Sequence, residues 1–416
     1  MVSRKIVSAV SICAISIMFS CALQAKEVVN FWGRSEQSSL PMLVNEFNKS
    51  QDKITVKLNE IPNIQMLTKL SAAVAVNNPP DLVSIDLVYF PELNRSEQLI
   101  DLTDKIGTMD YVSQLSDALK AIGSYNGKFY AVPFAAESSL LFYNKTLFRE
   151  AGLDPNRPPE TLGELREYSE KIRALGKDYY GFAIPGTSSG GLAFTFTPYF
   201  WANGGDIISA DGKKSVVNSE NNKRTLTFFH NLYKDGLMSP LSRTDSALND
   251  AFSSGKVAMV GSGAFTFKVF KDNYPNLDYG VTYFPGEEKG NWASFTGGDA
   301  FALPVGSKHQ QAAIDFINWT LSKQTQIELM AKNGYVPTRM DASDNPYSQQ
   351  DPKYLLANKA LAKGHTPFLV PYNETFNAIN SPYLTMIQKA VFEGKIDEAL
   401  KTADQKMNQI IKMSEE

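Results

Sequence analysis

The chain is poor in cysteine. Its 416 residues include only Cys13 and Cys21, and both lie near the amino terminus. If export removes this segment, the mature chain has no thiol, which excludes disulfides, thiolate metal sites and cysteine nucleophiles. Its stability must then come from core burial, for which about 390 residues are enough.

Histidines and clustered basic residues are also scarce. The histidines are His230, His309 and His365, and basic residues form no run longer than a short pair. Because nucleic-acid phosphates require clustered Lys and Arg, we predict no nucleic-acid partner. The sequence also has no Gly-x-Ser-x-Gly elbow and no Gly-x-x-x-x-Gly-Lys phosphate loop. We therefore predict no catalytic residue, no metal site and no cofactor.

The amino terminus has the composition of a secretory signal peptide. Arg4 and Lys5 precede an apolar run from Ile6 to Phe19, which is followed by small and polar residues. About 14 apolar residues are too few to span a bilayer as a helix, so an export signal is favoured over a membrane anchor.

Several processing sites are compatible with this segment. We predict that residues 1–25 are removed by cleavage after Ala25, with Ala22 as an alternative site. The mature chain would then start at Lys26 in the periplasm. A second alternative is lipid attachment at Cys21, although Met18 and Phe19 fit the usual lipoprotein pattern poorly.

Alternating strand and helix patterns open the mature chain. Strands are predicted at 28–32, 54–58 and 82–85, and the segments between them carry apolar residues at helical spacing. Strand, helix, strand, helix and strand in this order are typical of parallel βαβ units. The first part of the chain is therefore predicted to be α/β.

The remainder of the chain continues the mixed pattern. Strands are predicted at 129–133, 139–143, 256–260 and 300–303, and helices at 222–237, 309–321, 322–332 and 383–412. Thr161 and Glu164 form a capping box that begins another helix. The glycine-rich segment 186–191 lacks a phosphate-loop lysine, and we interpret it as a flexible loop.

Aromatic and charged residues occur together where strands end. Trp32 stands at the carboxyl end of the first predicted strand, Arg34 lies in the loop after it, and Asp86 follows the third strand. In an α/β sheet, ligands bind beyond the carboxyl ends of the strands, so these side chains are expected to face one crevice. Aromatic faces stack on the C–H faces of a sugar, while carboxylates and guanidinium groups bind its hydroxyls.

Six segments, in the same order along the chain, resemble those of the extracellular solute-binding proteins of bacterial ABC importers, in particular the carbohydrate-binding group. Together they extend from the Asn-Pro-Pro-Asp-Leu-Val junction to a Gly-Tyr-Val-Pro segment. The segments are 78–83, 141–153, 158–161, 252–259, 296–299 and 334–337.

This resemblance implies a two-lobed α/β periplasmic binding protein fold of type II, with a hinge and a ligand cleft between the lobes. The first lobe would comprise residues 26–134 and about 299–338, and the second 135–298 and about 339–416. The expected partners are a carbohydrate ligand and the transmembrane subunits of an ABC permease, and the expected oligomeric state is a monomer. Ligand binding would shift the population toward a closed form that the permease recognises.

The resemblance also implies a set of ligand-binding residues. Glu137 matches a hinge carboxylate that accepts sugar hydroxyls, Tyr199 belongs to an aromatic wall, and Phe265 stands where relatives often have a stacking Trp. The complete predicted set is Trp32, Arg34, Asp86, Glu137, Tyr199, Trp201, Phe265, Gly297, Gly298, Asp299, Tyr335 and Arg339. The last four residues of this set, from Gly298 to Arg339, could instead form the hinge. Gly297 and Gly298 could instead form a tight turn.

Two other functions are compatible with the sequence. A glycerol phosphate or a polyol is an alternative ligand, because Arg34 or Arg339 could neutralise a phosphate. We disfavour an anion because Asp86, Glu137 and Asp299 would make the cleft acidic. An exported glycosidase is a further alternative, with Asp86 and Glu137 as its carboxylate pair.

The predicted signal peptide has a testable consequence. Protein recovered from the periplasm should begin at Lys26 and contain no titratable thiol, as measured by amino-terminal sequencing, intact mass and thiol titration. The Ala25→Leu variant should process poorly because cleavage sites require small residues. A lipid-modified amino terminus at Cys21 would contradict this prediction.

Overall fold

The computed structural model describes residues 26–245 and 248–415, so the predicted signal peptide and Cys21 lie outside the described residues. The described residues form a mixed α/β structure. Its strands are β1 (Glu27–Arg34), β2 (Ile54–Ile61), β3 (Leu82–Asp86), β4 (Ser124–Tyr125), β5 (Lys128–Phe129), β6 (Val132–Asn144), β7 (Tyr180–Ala183), β8 (Val257–Gly263), β9 (Tyr279–Thr282), β10 (Phe284–Pro285), β11 (Trp292–Ala293) and β12 (Thr296–Ala302).

The helices cover the faces of the strands and build the carboxyl-terminal region. They are α1 (Leu40–Ser50), α2 (Asn63–Ala75), α3 (Phe90–Arg95), α4 (Thr103–Ile106), α5 (Asp117–Ile122), α6 (Lys145–Glu150), α7 (Leu162–Arg173), α8 (Ser189–Thr195), α9 (Thr197–Ala202), α10 (Glu220–Lys234), α11 (Leu241–Thr244), α12 (Asn249–Ser253), α13 (Thr266–Asn273), α14 (Gln310–Thr320), α15 (Lys323–Thr325), α16 (Pro352–Lys363), α17 (Pro382–Ile387) and α18 (Ile396–Glu415). Within residues 26–245 and 248–415, none of these helices combines the length and the hydropathy required to cross a membrane.

The strands form two connected halves, one for each lobe. In the first lobe the strand order is β2-β1-β3-β12-β6, with β1, β2 and β3 parallel and β12 antiparallel to its neighbours. In the second lobe β6 pairs antiparallel with β8 and β9, and β7 runs parallel to β8. Strand β6 therefore belongs to both lobes.

The predicted βαβ start of the chain agrees with β1, α1, β2, α2 and β3. Strand β1 pairs with β2 along its whole length, from Glu27 opposite Ile54 to Arg34 opposite Ile61. Helix α1 buries four apolar residues of one face, as its helical spacing predicts. Strand β1 continues two residues past the predicted end at Trp32, so Arg34 is held by a strand.

The two short strands predicted at 129–133 and 139–143 were wrong as separate elements. The structure has a single strand, β6, whose first half pairs with β12 and whose second half pairs with β8 and β9. Pro133 suggested a strand end because proline cannot donate a ladder hydrogen bond. It is tolerated because it lies beside an irregularity in the β6–β12 register, where Ala135 pairs with Asp299 and Pro133 with Ala300.

Two clusters of buried residues form the core. The smaller cluster packs α1 and α14 against one face of the first lobe, and Phe31, Phe301 and Phe316 are fully buried within it. Rings in this cluster pack edge to face or stack, as Phe134 does on Phe301 at a centroid distance of 3.8 Å. The larger cluster continues from the other face of the first lobe into the second lobe.

Close packing of α7 on β7 predicts the effect of two glycine substitutions. A Cβ added at Gly181 would lie 2.2 Å from the Cα of buried Ser169, whereas one added at exposed Gly163 would meet only the Thr161 hydroxyl at 3.6 Å. We expect Gly181→Ala to lower the free energy of unfolding by about 1–3 kcal/mol through overpacking. Urea unfolding at an unchanged m-value measures this loss.

The matched control is Gly163→Ala in helix α7. It should raise the free energy of unfolding by up to about 1 kcal/mol, because alanine has the higher helix propensity. Equal effects of the two substitutions would contradict the close approach of Ser169 to Gly181.

Candidate functional site

A cleft of about 810 Å³ opens beside the carboxyl ends of β1 and β3. Both lobes contribute to its walls. We call it the interlobe cleft, and its lining includes Arg34, Asp86 and Tyr89 from the first lobe and Phe194, Phe265 and Asn377 from the second. It forms here because parallel strands end at one edge of the sheet, and β12 enters between β3 and β6 at that edge.

Arg34 is the centre of a polar network on the first-lobe side. Its Nε and Nη2 donate to the two carboxylate oxygens of Asp299 at 2.8 and 2.6 Å, and its Nη1 approaches Asp86 at 3.4 Å. Asp299 is fully buried and also accepts a hydrogen bond from the Gln37 amide at 2.8 Å. A bidentate pair of this kind fixes the plane of the guanidinium.

The pKa values of Arg34 and Asp86 follow from this arrangement. Burial disfavours the charge of Arg34, but Asp299 and Asp86 outweigh that effect and raise the guanidinium pKa above its ordinary value. Burial also raises the pKa of Asp86 to about 6, although Arg34 opposes the rise. Asp86 caps the turn at Leu87–Tyr89 by accepting a hydrogen bond from the Val88 N–H at 3.3 Å.

Glu137 lies on β6 opposite Gly297, where the two lobes meet. One of its carboxylate oxygens accepts a hydrogen bond from the backbone N–H of Phe265 at 3.0 Å, at the start of α13. Burial raises the pKa of Glu137 to about 8, and Asp299 adds to the rise, while the Phe265 N–H and Arg34 oppose it. The carboxyl group is therefore largely protonated at neutral pH and can donate as well as accept.

Five aromatic side chains line the cleft. Phe194 and Phe295 make an edge-to-face contact at a centroid distance of 5.4 Å, and Tyr89 and Tyr372 are almost completely buried. Phe265 is different because it is 42% exposed at the same cleft. Ring faces accessible from a cavity can stack on an apolar ligand face.

Two amide side chains contribute acceptors without a partner. The Oδ1 atoms of Asn63 and Asn377 are buried and accept no hydrogen bond from the described residues. The Nδ2 of Asn377 donates to the Tyr89 hydroxyl at 3.0 Å, which connects the second lobe to the first. A buried acceptor without a partner is costly, so a donor on a ligand would be favoured at each position.

Gly297 and Gly298 both lie within strand β12, so the alternative of a tight turn was wrong. Gly298 has φ +122°, and an added Cβ would lie 1.9 Å from the Ala135 carbonyl oxygen. Only glycine fits this position without backbone movement. Both glycines line the cleft.

Of the twelve predicted site residues, six line the cleft and Asp299 pairs with Arg34 directly behind them. The six are Arg34, Asp86, Glu137, Phe265, Gly297 and Gly298. The remaining five do not line it. Trp32 is half-buried and packs against the larger core cluster.

The other three aromatic predictions also lie outside the cleft lining. Tyr199 is fully buried among Phe182, Phe229 and other rings, so it is core rather than a cleft wall. Trp201 lines a separate cavity with His365, and its indole N–H donates to Asp206 at 2.8 Å. Tyr335 is buried, and its hydroxyl lies 3.0 Å from the Ser38 hydroxyl.

Arg339 is a structural residue in this arrangement. It is 2% exposed and donates to Asp341, to Asp110 and to the backbone carbonyl of Leu321. With its guanidinium occupied in this way, it is not available to a ligand in the interlobe cleft.

The glycine-rich segment 186–191, which was predicted to be a flexible loop, contributes to the cleft. It is not simply a flexible loop, because helix α8 begins within it, and the Ser188 side chain caps this helix by accepting a hydrogen bond from the Gly191 N–H at 3.1 Å. Gly190, Gly191 and Phe194 of α8 all line the cleft. Ser188 followed by Gly191 was the available signal for a helix start.

Comparisons with known proteins agree with this architecture. The family model described as "Bacterial extracellular solute-binding protein" matches residues 42–356. The diacetylchitobiose binding protein of Streptomyces coelicolor is 25% identical over 389 residues, covering 88% of this chain and 86% of the relative. The sn-glycerol-3-phosphate-binding periplasmic protein of Brucella abortus is 26% identical over 362 residues, covering 82% of each chain.

A solved structure shows the same fold. The cyclic alpha-maltosyl-1,6-maltose binding protein of Arthrobacter globiformis superimposes with a TM-score of 0.78 at 26% identity, covering 93% of this chain and 99% of the other. The described chain therefore has the two-lobed periplasmic binding protein fold of type II.

The raised pKa of Glu137 predicts a pH dependence of stability. Because the folded state holds this proton up to about pH 8 and the unfolded state releases it near its ordinary value of 4.5, the contribution of Glu137 to stability falls as pH rises between these values. We expect the free energy of unfolding of Glu137→Gln, relative to that of the unsubstituted protein, to rise by at least about 1 kcal/mol as pH increases from 5 to 8. Urea unfolding across this pH range measures the difference.

Asp86→Asn serves as the control, because the pKa of Asp86 is raised only to about 6. The stability of Asp86→Asn relative to the unsubstituted protein should stop rising near pH 6. For Glu137→Gln the rise should continue to a higher pH. Parallel stability profiles for Glu137→Gln and the unsubstituted protein would rule out the raised pKa.

Proposed function

The chain belongs to the bacterial extracellular solute-binding proteins, and from that premise we propose that it is the substrate-binding component of an ABC importer for a carbohydrate. It is exported to the periplasm, captures a mono- or oligosaccharide in the interlobe cleft and delivers it to the membrane permease. It performs no chemistry on its ligand.

The observation that carries this proposal is the combination of chemical groups around the cleft. Accessible rings such as those of Phe194 and Phe265 offer apolar faces, while Asp86, Glu137 and the Asn377 amide offer hydrogen-bonding groups. A pyranose has both apolar C–H faces and a dense set of hydroxyls. A cavity of about 810 Å³ is within the size range of small-molecule sites.

The lobe arrangement supports capture by closure. We propose lobes of residues 26–134 with about 299–338, and 135–298 with about 339–416. Strands β6 and β12 pass between them beside the cleft. A ligand that contacts Asp86 on one side and Phe265 on the other would stabilise a closed form, which the permease would recognise.

A glycerol phosphate is the second candidate, because one relative carries that ligand in its name. Within the described residues that line the cleft, Arg34 is the one cationic side chain, and Asp299 already engages it through two hydrogen bonds. A phosphate would have to compete with this carboxylate and approach Asp86 as well. The arrangement therefore favours a sugar.

Thermal unfolding of the exported protein against sugars and glycerol phosphates tests the proposal. A ligand that binds only the native state at about 100 times its Kd adds about 2.7 kcal/mol, so we expect a clear rise in Tm with one class of sugar. The sugar should be recovered unchanged. Cleaved sugar would establish the glycosidase instead, and a rise with glycerol phosphate alone would establish the second candidate.

Two exposed phenylalanines provide a matched test of the site. Phe265→Ala should weaken sugar binding about tenfold, or by about 1.4 kcal/mol, because it removes a ring face from the cleft. Phe368 is 37% exposed but lines the separate cavity beside Trp201, so Phe368→Ala should leave the affinity unchanged. Isothermal titration calorimetry measures both, and equal losses would remove Phe265 from the site.

A further inference from the structure

Negative charge prevails in the interlobe cleft. Among the described residues, its lining has three carboxyl side chains, Glu36, Asp86 and Glu137, and one cationic side chain, Arg34. Asp299 is the carboxylate with which Arg34 pairs. Even without Glu137, the carboxyl groups of Glu36, Asp86 and Asp299 outnumber the one guanidinium at the cleft.

The guanidinium of Arg34 already donates to protein carboxylates, so few of its N–H groups remain for a ligand. Two of its nitrogens donate to buried Asp299, and the third faces Asp86. In contrast, the Asp86 carboxylate meets Arg34 only at 3.4 Å and the Val88 N–H at 3.3 Å, and its side chain remains 22% exposed. The cleft thus has an available negative group and an unavailable positive one.

Free acceptors add to this asymmetry. The Oδ1 atoms of Asn63 and Asn377 are buried without a donor, and both residues line the cleft. A ligand group with several donors and a positive charge satisfies these features together, and an ammonium group is such a group.

The aromatic lining indicates what carries that ammonium. Exposed ring faces such as Phe265 stack on a pyranose, whereas a bare polyamine chain has no flat face to offer them. We infer that the cleft selects an amino sugar, with the protonated amine directed toward Asp86 and Glu36. This inference rests on the proposed function and specifies its substrate class.

Matched sugars that differ at one substituent test the inference. Mono- and disaccharides are compared as the hydroxyl, amine, N-acetyl and uronic acid forms, with isothermal titration calorimetry at about pH 7. We expect the amine form to bind at least tenfold more tightly than the N-acetyl form and the uronic acid form to bind most weakly. The ratio of amine to N-acetyl affinity should fall at high salt, because screening weakens the attraction between the ammonium group and the carboxylates.

Variants locate the source of the preference. Asp86→Asn and Glu36→Gln should each reduce the ratio of amine to hydroxyl affinity several-fold. Far-UV circular dichroism and cooperative thermal unfolding without ligand show that each variant is folded. Glu288→Gln removes one negative charge from an exposed loop outside the cleft, so it should leave the ratio unchanged.

The outcomes separate this inference from the proposed function. If neutral sugars bind as tightly as amines, or more tightly, the inference is wrong and the sugar-binding function stands. If no form of any sugar binds, the proposed function fails and the inference fails with it. An unchanged preference in both cleft variants would also overturn the assignment of the amine to Asp86 and Glu36.

Discussion

The ion pair between Arg34 and Asp299 is the interaction on which the site depends. It joins the end of β1 to the middle of β12, two strands that are separated by β3 in the sheet. Asp299 is fully buried, so loss of either partner would leave an uncompensated charge in the interior. The pair also sets the direction of the guanidinium and thereby the environment of Asp86, which is the more accessible carboxylate.

The hinge strands place this network at the boundary between the lobes. Gly298 allows β12 to pass against the carbonyl of Ala135 on β6, where any side chain would collide. Gly298 pairs with Ala136 on β6, and the next residue of that strand is Glu137. The Glu137 carboxylate accepts a hydrogen bond at the start of α13 in the second lobe. The same close contact of two strands therefore supports the fold and positions a carboxyl group between the lobes.

Much of the fold follows from local patterns in the sequence. The order of β1, α1, β2, α2 and β3 is indicated by alternating apolar periodicity, and Thr161 begins α7 as the capping box predicts. The pairing of strands that are distant in the chain is harder to predict from the sequence. Strand β6 was divided at Pro133 because proline and small residues resemble a break, although its neighbours on both sides hold it extended.

The sequence by itself predicted the export signal and determined the α/β order of the elements, the family resemblance and the polar residues at the strand ends. Each of these depends on residues that are close together in the chain. Only the tertiary structure decided which aromatic rings reach the ligand cleft. Tyr199 is sealed in the core, while Phe194 and Phe295, 101 positions apart, meet at the cleft surface. Apolar spacing shows which face of an element avoids water, but what covers that face depends on segments that are distant in sequence.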